Sequence, residues 1–233
     1  PHSLEDVTVV IPVYDEDHKI LDKIVEELEK LNIEVIVVDD GSKNPYSKSI
    51  KHGYNFGYGA SLLTGIKNST RPLIITMDGD GQHGVGDAVN LYIAWQMMKS
   101  CDLLIGSRRL EDEVWYRMWG RKFLNLFASI FTMIYIQDLN SGMRMFRKSV
   151  ALGYAPILCK GFSFTTSLTI SMMADNYRLE SCPINVSKRL TGKSKVMVIK
   201  HGLITLFYII RNGLVLRTRK LRAFLRRLRG IHD

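Results

Sequence analysis

Val7–Val13 (VTVVIPV) is an unbroken, largely β-branched apolar run. That is the pattern of a strand buried on both faces. Ile20, Leu21, Ile24, Val25, Leu28 and Leu31 follow at helical spacing and predict a helix over His18–Leu31. Val35–Val38 reads as a second buried strand, Gly59–Asn68 as a helix and Leu73–Met77 as a strand. A helix over Gly86–Ser100 and a strand over Leu103–Ile105 continue the alternation. Strand, helix, strand repeated in this way predicts an α/β fold with parallel strands and right-handed crossovers. Ligands of such sheets bind beyond the carboxyl ends of the strands. Each of the four strands runs into polar residues there: Tyr14-Asp15-Glu16, Asp39-Asp40-Gly41-Ser42, Asp78-Gly79-Asp80 and Gly106-Ser107-Arg108. Beyond Arg109 the period is less regular. Trp115–Tyr135 and Ser167–Met173 read as helices, Met143–Phe146 as a short strand, and Arg178–Val186 as a strand interrupted at Pro183.

The last stretch changes character. Leu203–Ile210 (LITLFYII) is apolar throughout but far short of the ~20 residues of a spanning helix. Arg217–Arg229 (RTRKLRAFLRRLR) sets Leu221, Phe224, Leu225 and Leu228 on one helical face and arginines around the rest. From Lys188 to the end there are 13 Lys and Arg against one acid. The chain as a whole carries +9, so residues 1–187 are slightly acidic and the tail supplies the entire basic balance. A basic excess calls for an anionic partner. A basic helix with a Leu/Phe face suits an anionic membrane surface. A helix docked on its own domain is the plainer alternative, and nucleic acid is the least favoured partner. The chain thus divides into a domain over 1–200 and a membrane-associating helical tail over 201–233.

At 233 residues, 46% hydrophobic and 24% charged, the composition excludes a disordered tail, a collagen-like repeat and a disulfide miniprotein. Cys101, Cys159 and Cys182 form no CxxC pair and read as ordinary buried thiols.

Asp78-Gly79-Asp80-Gly81-Gln82-His83 carries the sharpest chemistry. Two carboxylates one residue apart can face one ligand if the glycines let the backbone turn. Such oxygen donors suit Mg²⁺ or Mn²⁺ held with the help of phosphates. A polar turn with an Asp capping the next helix is the bland alternative, and His83 reads as a ligand or a cap. Asp39-Asp40 fits contacts to a nucleoside, or an acidic turn. Gly57-Tyr58-Gly59 lacks the third glycine of a dinucleotide loop and reads as turn and close-packing residues. Arg108-Arg109 could meet a diphosphate.

Seven segments in this order resemble the GT-A glycosyltransferases of family 2, most of all the dolichyl-phosphate mannose synthase and polyprenyl-phosphate glycosyltransferase branch. They are Pro12–Glu16, Asp39–Ser42, Asn55–Gly59, Asp78–His83, Gly106–Arg108, Asp138-Leu139-Asn140-Ser141-Gly142-Met143-Arg144 and Arg189–Lys195. The resemblance implies a GT-A, Rossmann-like, mostly parallel sheet flanked by helices, with the basic amphipathic helices at its C-terminal end. It implies that Pro12, Tyr14, Glu16 and Asp40 hold the base and ribose of a nucleotide-sugar. Asp78, Asp80 and Gln82 would hold the Mg²⁺ or Mn²⁺, with Gly79 between them against the donor. Arg108, Arg121, Lys160, Arg189, Ser194 and Lys195 would meet the phosphates. Asp138, Ser141 and Arg144 would shape the acceptor side and, with Asp80, make up the catalytic set.

The implied reaction is an inverting, metal-dependent transfer of a sugar from GDP-mannose or a UDP-hexose to a polyprenyl or dolichyl phosphate. It would take place at the cytoplasmic face of a membrane with the enzyme peripherally bound. A phosphate acceptor needs no general base, because its oxygen is already an anion. A hydroxyl acceptor needs one, and relatives that use hydroxyls carry an acidic pair where this chain has Gln137-Asp138-Leu139-Asn140. Asp138 alone could still serve as that base, so a glycolipid or glycan hydroxyl is the first alternative. A non-catalytic membrane-binding module is the second. One segment departs from the family: Gly161-Phe162-Ser163-Phe164 is followed by Thr165-Thr166-Ser167, without the acid of close relatives. That leaves the sugar preference open and argues against calling the chain a mannose synthase outright. Oligomeric state has no signature in the sequence.

Overall fold

The computed structural model describes residues 4–98, 100–108, 126, 138–139, 141–185, 203–212, 214 and 218. The expected phosphate contacts Arg121, Arg189, Ser194 and Lys195 lie outside these residues. So do nearly all of the Trp115–Tyr135 helix and of the basic Arg217–Arg229 segment.

Among the described residues seven strands form one sheet: β1 Val7–Val13, β2 Glu34–Asp39, β3 Ser49–Lys51, β4 Leu73–Thr76, β5 Leu103–Arg108, β6 Arg144–Arg147 and β7 Leu179–Ile184. Its order is β3-β2-β1-β4-β6-β5-β7. The helices are α1 His18–Glu29, α2 Tyr58–Asn68, α3 Val85–Met97, α4 Lys148–Tyr154 and α5 Phe164–Ala174. Residues 203–212 are helical as well.

Period-two alternation divides the core. Val7, Val9, Ile11 and Val13 of β1 face a cluster with Leu21, Ile24, Val25 and Leu28 of α1 and Ala88, Leu91 and Trp95 of α3. Val10 and Ile74 face the other side, against Leu62 and Ile66 of α2 and Phe164 and Leu168 of α5. Both faces of the central strands are covered, which is why they read as continuous apolar runs.

The sheet is mostly, not wholly, parallel: β6 runs antiparallel to both β4 and β5. The physical reason is its entry point. Arg144, where β6 begins, pairs with Thr76 at the end of β4, so β6 starts at the rim where the other strands end and returns. The strand over Arg178–Val186 is not broken at Pro183. β7 is an edge strand in unbroken register with β5, and Pro183 sits opposite Ser107. An edge position tolerates the missing N–H. β5 also runs three residues further than its apolar core, so Gly106, Ser107 and Arg108 belong to the strand. Cys101 and Cys159 are buried free thiols, and burial pushes the Cys101 thiol up to about 11. Cys182 is only half-buried.

The apolar run at the start of the tail docks on the domain. Thr205, Ile209 and Asn212 are buried. Thr205 and Ser163 hydroxyls lie 2.9 Å apart, and Asn212 Nδ2 donates to Ser167 O at 3.4 Å. Leu203, Phe207 and Leu214 are exposed. Among the described residues no helix is long and apolar enough to cross a membrane.

Candidate functional site

The carboxyl ends of β1, β2 and β4 converge on one rim, and short polar turns lace them together. Asp15, with φ of 51°, donates its backbone N–H to Ser42 Oγ at 2.8 Å. Its carboxylate accepts from Lys43 N at 2.9 Å. Asp39 accepts from Ser42 N at 2.8 Å and from Tyr46 N at 3.0 Å, so the buried first acid of the DDGS turn is a turn-former. Asp40 is also buried, and its carboxylate faces its own chain. Oδ1 accepts from Phe56 N at 3.0 Å and Oδ2 from Gly57 N at 2.8 Å. His52 Nδ1 lies 2.8 Å from Oδ1, with its Nε2 3.0 Å from Thr64 Oγ1. Gly41 has φ of 79°, and a Cβ there would fall 2.6 Å from the Tyr54 carbonyl carbon. The DDGS turn is therefore pressed against the 53–57 loop. Pro12 is buried inside β1 opposite Val38, whereas Tyr14 and Glu16 stand half-buried in the turn that follows.

The turn after β4 presents the paired acids. Gly79 packs inward: a Cβ there would come within 2.8 Å of Val13 and 2.9 Å of Leu21. Asp80 is buried, and its Oδ1 accepts from Gln82 N at 3.0 Å. Asp78 is about one-third exposed and is held from three sides. The Tyr58 hydroxyl donates to Oδ1 at 2.9 Å, and His83 Nε2 stands 3.7 Å from Oδ2. A Cβ on Gly142 would fall 2.6 Å from Oδ2. Burial alone would raise the Asp78 carboxyl, but His83, Tyr58 and Arg108 together bring it below the usual carboxylate range. The same burial, with the Asp78 charge beside it, pushes the Tyr58 hydroxyl well up. Neither acid caps α3. Its N-terminus is closed by Asp87, which accepts from Gly84 N at 3.2 Å. His83 is buried, and among the described residues its Nδ1 has no hydrogen-bond partner.

Across the rim, Arg108 and Asp138 close on each other. Arg108 Nε donates to Asp138 Oδ2 at 2.8 Å and Nη2 to Oδ1 at 3.0 Å. Arg144 is fully buried and supports this loop from below. Its Nε donates to Ser141 O at 2.9 Å, and its Nη groups donate to Leu139 O, Thr165 O and Thr169 Oγ1. Burial lowers its pKa to about 10. Ser141 is buried in the same turn, and its Oγ accepts from Met143 N at 3.3 Å. Lys160 is exposed, on a loop that touches α2: its carbonyl accepts from Ala60 N at 2.9 Å. Gly57 (φ 105°) and Gly59 make that approach possible, since Cβ atoms there would fall 2.6 Å and 2.3 Å from the carbonyls of Lys160 and Cys159. Their reading as close-packing residues therefore agrees with the structure.

The structure thus gathers Asp78, Asp80, Gln82, Arg108 and Asp138 around the ends of β4 and β5. Tyr58 and Gly142 fall inside segments that the sequence singles out, but with no role at the paired acids, and His52 stands in no pattern.

The donor set can be tested against a divalent cation. Asp78, Asp80 and the Gln82 side chain offer oxygen donors only, and Gly142 leaves the space beside Asp78 that a Cβ would fill. Among the described residues no group of three His, Cys, Asp or Glu forms a metal centre of its own. Such a set fits Mg²⁺ or Mn²⁺ whose coordination is completed by phosphate oxygens.

Comparison with known proteins is consistent with this chemistry. The family model described as glycosyl transferase family 2 matches residues 8–154. An undecaprenyl-phosphate 4-deoxy-4-formamido-L-arabinose transferase of Pseudomonas aeruginosa is 26% identical over 224 residues, covering 86% of this chain and 63% of that protein. A UDP-N-acetylglucosamine–dolichyl-phosphate N-acetylglucosaminyltransferase of Methanococcus voltae is 29% identical over 177 residues, covering 61% of this chain and 70% of that one. The chain thus spans less than two thirds of the length of the first of these relatives. Among solved structures, glucosyl-3-phosphoglycerate synthase of Mycobacterium tuberculosis, in complex with Mn²⁺, uridine-diphosphate-glucose and phosphoglyceric acid, superposes with a TM-score of 0.70 at 12% identity. That alignment covers 89% of this chain and 79% of the other, and establishes a shared fold.

Proposed function

The chain belongs to glycosyl transferase family 2, and from that premise we propose that it is an inverting, metal-dependent glycosyltransferase that moves a sugar from a nucleoside diphosphate to the phosphate of a polyprenyl lipid. The observation that carries the acceptor class is the Arg108–Asp138 pair. Both oxygens of the buried Asp138 carboxylate accept from one guanidinium. A carboxylate so engaged is a weak proton acceptor, because its charge is already neutralised. An acceptor that brings its own anionic oxygen needs no such base. The names of the two relatives, each a transferase to a polyprenyl or dolichyl phosphate, support the same reading.

The sequence of events follows from charge. The acceptor phosphate oxygen attacks the anomeric carbon on the face opposite the diphosphate. The new C–O bond forms as the bond to the diphosphate breaks, and the nucleotide leaves with that electron pair. No proton changes hands, and the anomeric configuration inverts. The state between is cationic at the sugar and increasingly anionic at the leaving group, so cations fixed around the diphosphate lower the barrier. Mg²⁺ or Mn²⁺, held by Asp78, Asp80 and Gln82, would supply such charge when bound. Arg108, braced by Asp138, faces the same rim. Tyr14 and Glu16 stand at the end of β1, where the nucleoside would lie. Arg144 acts at one remove, by fixing the turn that carries Asp138 and Ser141.

We place the enzyme at a membrane face as a peripheral protein. Two features support this. The docked helix at 203–212 exposes Leu203 and Phe207, and the segment after it is strongly basic. The test of function is a panel of GDP- and UDP-sugars offered with polyprenyl phosphate and, separately, with the corresponding alcohol. Mass spectrometry of the lipid should find a sugar phosphodiester from the phosphate alone. Transfer only to the alcohol would overturn the acceptor assignment.

A further inference from the structure

Gly57, the N-cap of α2, packs against the Lys160 carbonyl, and Ala60 N donates to that same oxygen at 2.9 Å. The first turn of α2 is therefore clamped to the 159–162 loop. Tyr58, in that first turn, carries the clamp into the site. Its ring stacks on Phe162, with centroids 5.6 Å apart and planes at 17°. Its hydroxyl donates to Asp78 Oδ1 at 2.9 Å. The other oxygen of Asp78 faces His83 and the space left by Gly142.

We propose that the Tyr58 hydroxyl, held by the Phe162 stack, orients the Asp78 carboxylate to receive a divalent cation. This rests on the metal-dependent reading given above. An unrestrained aspartate samples several rotamers, and fixing one of them lowers the entropic cost of coordination. Each carboxylate oxygen has two lone-pair directions, so Oδ1 can keep the tyrosine bond while the carboxylate binds an ion. Groups that orient a metal's ligands commonly contribute tenfold or more to metal affinity when removed singly. Tyr58 is thus a positioning residue that acts through Asp78.

The decisive variant is Tyr58→Phe, which keeps the ring and its stack and deletes only the hydroxyl. Mn²⁺ binding would be followed by electron paramagnetic resonance on the whole chain, in the presence of GDP or UDP, together with thermal unfolding. Mn²⁺ affinity should fall by roughly tenfold while the unfolding midpoint without metal stays at the wild-type value. In turnover assays the Mn²⁺ concentration for half-maximal rate should rise more than kcat falls. Phe162→Leu, which removes the stack but leaves an apolar side chain, should weaken Mn²⁺ binding by a smaller factor. Wild-type Mn²⁺ affinity in Tyr58→Phe overturns the role of Tyr58 and leaves the metal-dependent reading intact. A wild-type chain that binds no Mn²⁺ with either nucleotide overturns both.

Discussion

Arg108 and Asp138 form a two-point ion pair, at 2.8 Å and 3.0 Å, in which the carboxylate has no solvent exposure and the guanidinium keeps about a third of its own. The asymmetry decides which partner can be lost. Replacing Arg108 takes both guanidinium bonds away from a buried charge, while removing the Asp138 charge leaves an arginine that can still reach water.

Arg108→Met should therefore destabilise the protein by about 3–5 kcal/mol, the usual result of breaking a buried ion pair by removing one partner. Asp138→Asn should cost less, because the amide still accepts a hydrogen bond and Arg108 can turn outward. Urea unfolding of both variants measures the difference. Equal losses would mean that Asp138 finds another cation. In activity, Asp138→Asn should retain turnover with a phosphate acceptor at a raised donor KM. Complete inactivity with normal donor binding would identify Asp138 as the base.

Removal of divalent metal should abolish transfer, with Mg²⁺ or Mn²⁺ restoring it to the wild type but not to Asp80→Asn. A lost metal–diphosphate contact typically costs several kcal/mol of barrier, so the variant's kcat should fall by about 10² or more. Gly142→Ala is the sharper test of the site's shape. Its methyl would fall 2.6 Å from Asp78 Oδ2, and the easiest relief is to push that carboxylate aside. Calorimetric Mn²⁺ titration should find weakened binding in a protein that still folds. Gly59→Ala, by contrast, meets the Cys159 backbone carbonyl at 2.3 Å and should lower the unfolding temperature itself.

Much of this was legible in the chain. β1 is buried on both faces, and its one polar position, Thr8, is satisfied by Glu34, so the limits at Val7 and Val13 could be read from the otherwise apolar run. The polar residues beyond β1, β2 and β4 mark where those buried strands end. What stayed hidden depends on contacts between distant segments. β3 contributes three residues, too few for a period, and is defined by its ladder with β2. The reversed direction of β6 depends on where its loop enters. The Arg108–Asp138 pair joins residues 30 apart, and Asp40 is committed to amides at 56 and 57 that no local pattern connects to it.

At the opposite end of the sheet Glu34 staples β2 to β1 and to the turn before β4. It accepts from the Thr8 hydroxyl, from Thr70 N at 2.9 Å and from Thr70 Oγ1 at 2.7 Å. Burial would raise its carboxyl, but these bonds outweigh it and hold the folded pKa below the ordinary 4.5. The sign follows: the stabilisation is fully present above the unfolded value and is lost as pH falls through the folded one. Glu34→Gln should therefore be less stable than wild type at pH 7, and the gap should narrow on acidification below about pH 4.5. Chemical unfolding at a series of pH values would show it. A gap that widens in acid would contradict the assignment.

The helix at 203–212 offers two faces with opposite expectations. Ile209 is fully buried in the cluster that contains Phe164 and Leu168. Ile209→Ala should cost about 2–5 kcal/mol, as buried aliphatic truncations do. Leu203 and Phe207 stand on the outer face at 64% and 59% exposure. Replacing both with Ser should leave the unfolding temperature within a degree or two of wild type, since exposed substitutions away from caps and pairs cost under about 0.5 kcal/mol. If this face meets a lipid surface, the same pair should weaken cosedimentation with anionic vesicles, by an amount that raised salt does not reproduce. Salt would instead act on the basic residues that follow, because it screens charge and leaves apolar contact intact. The double variant and the salt series therefore separate the two contributions. Unchanged vesicle binding in the double variant, with salt removing all of it, would assign attachment to the arginines alone.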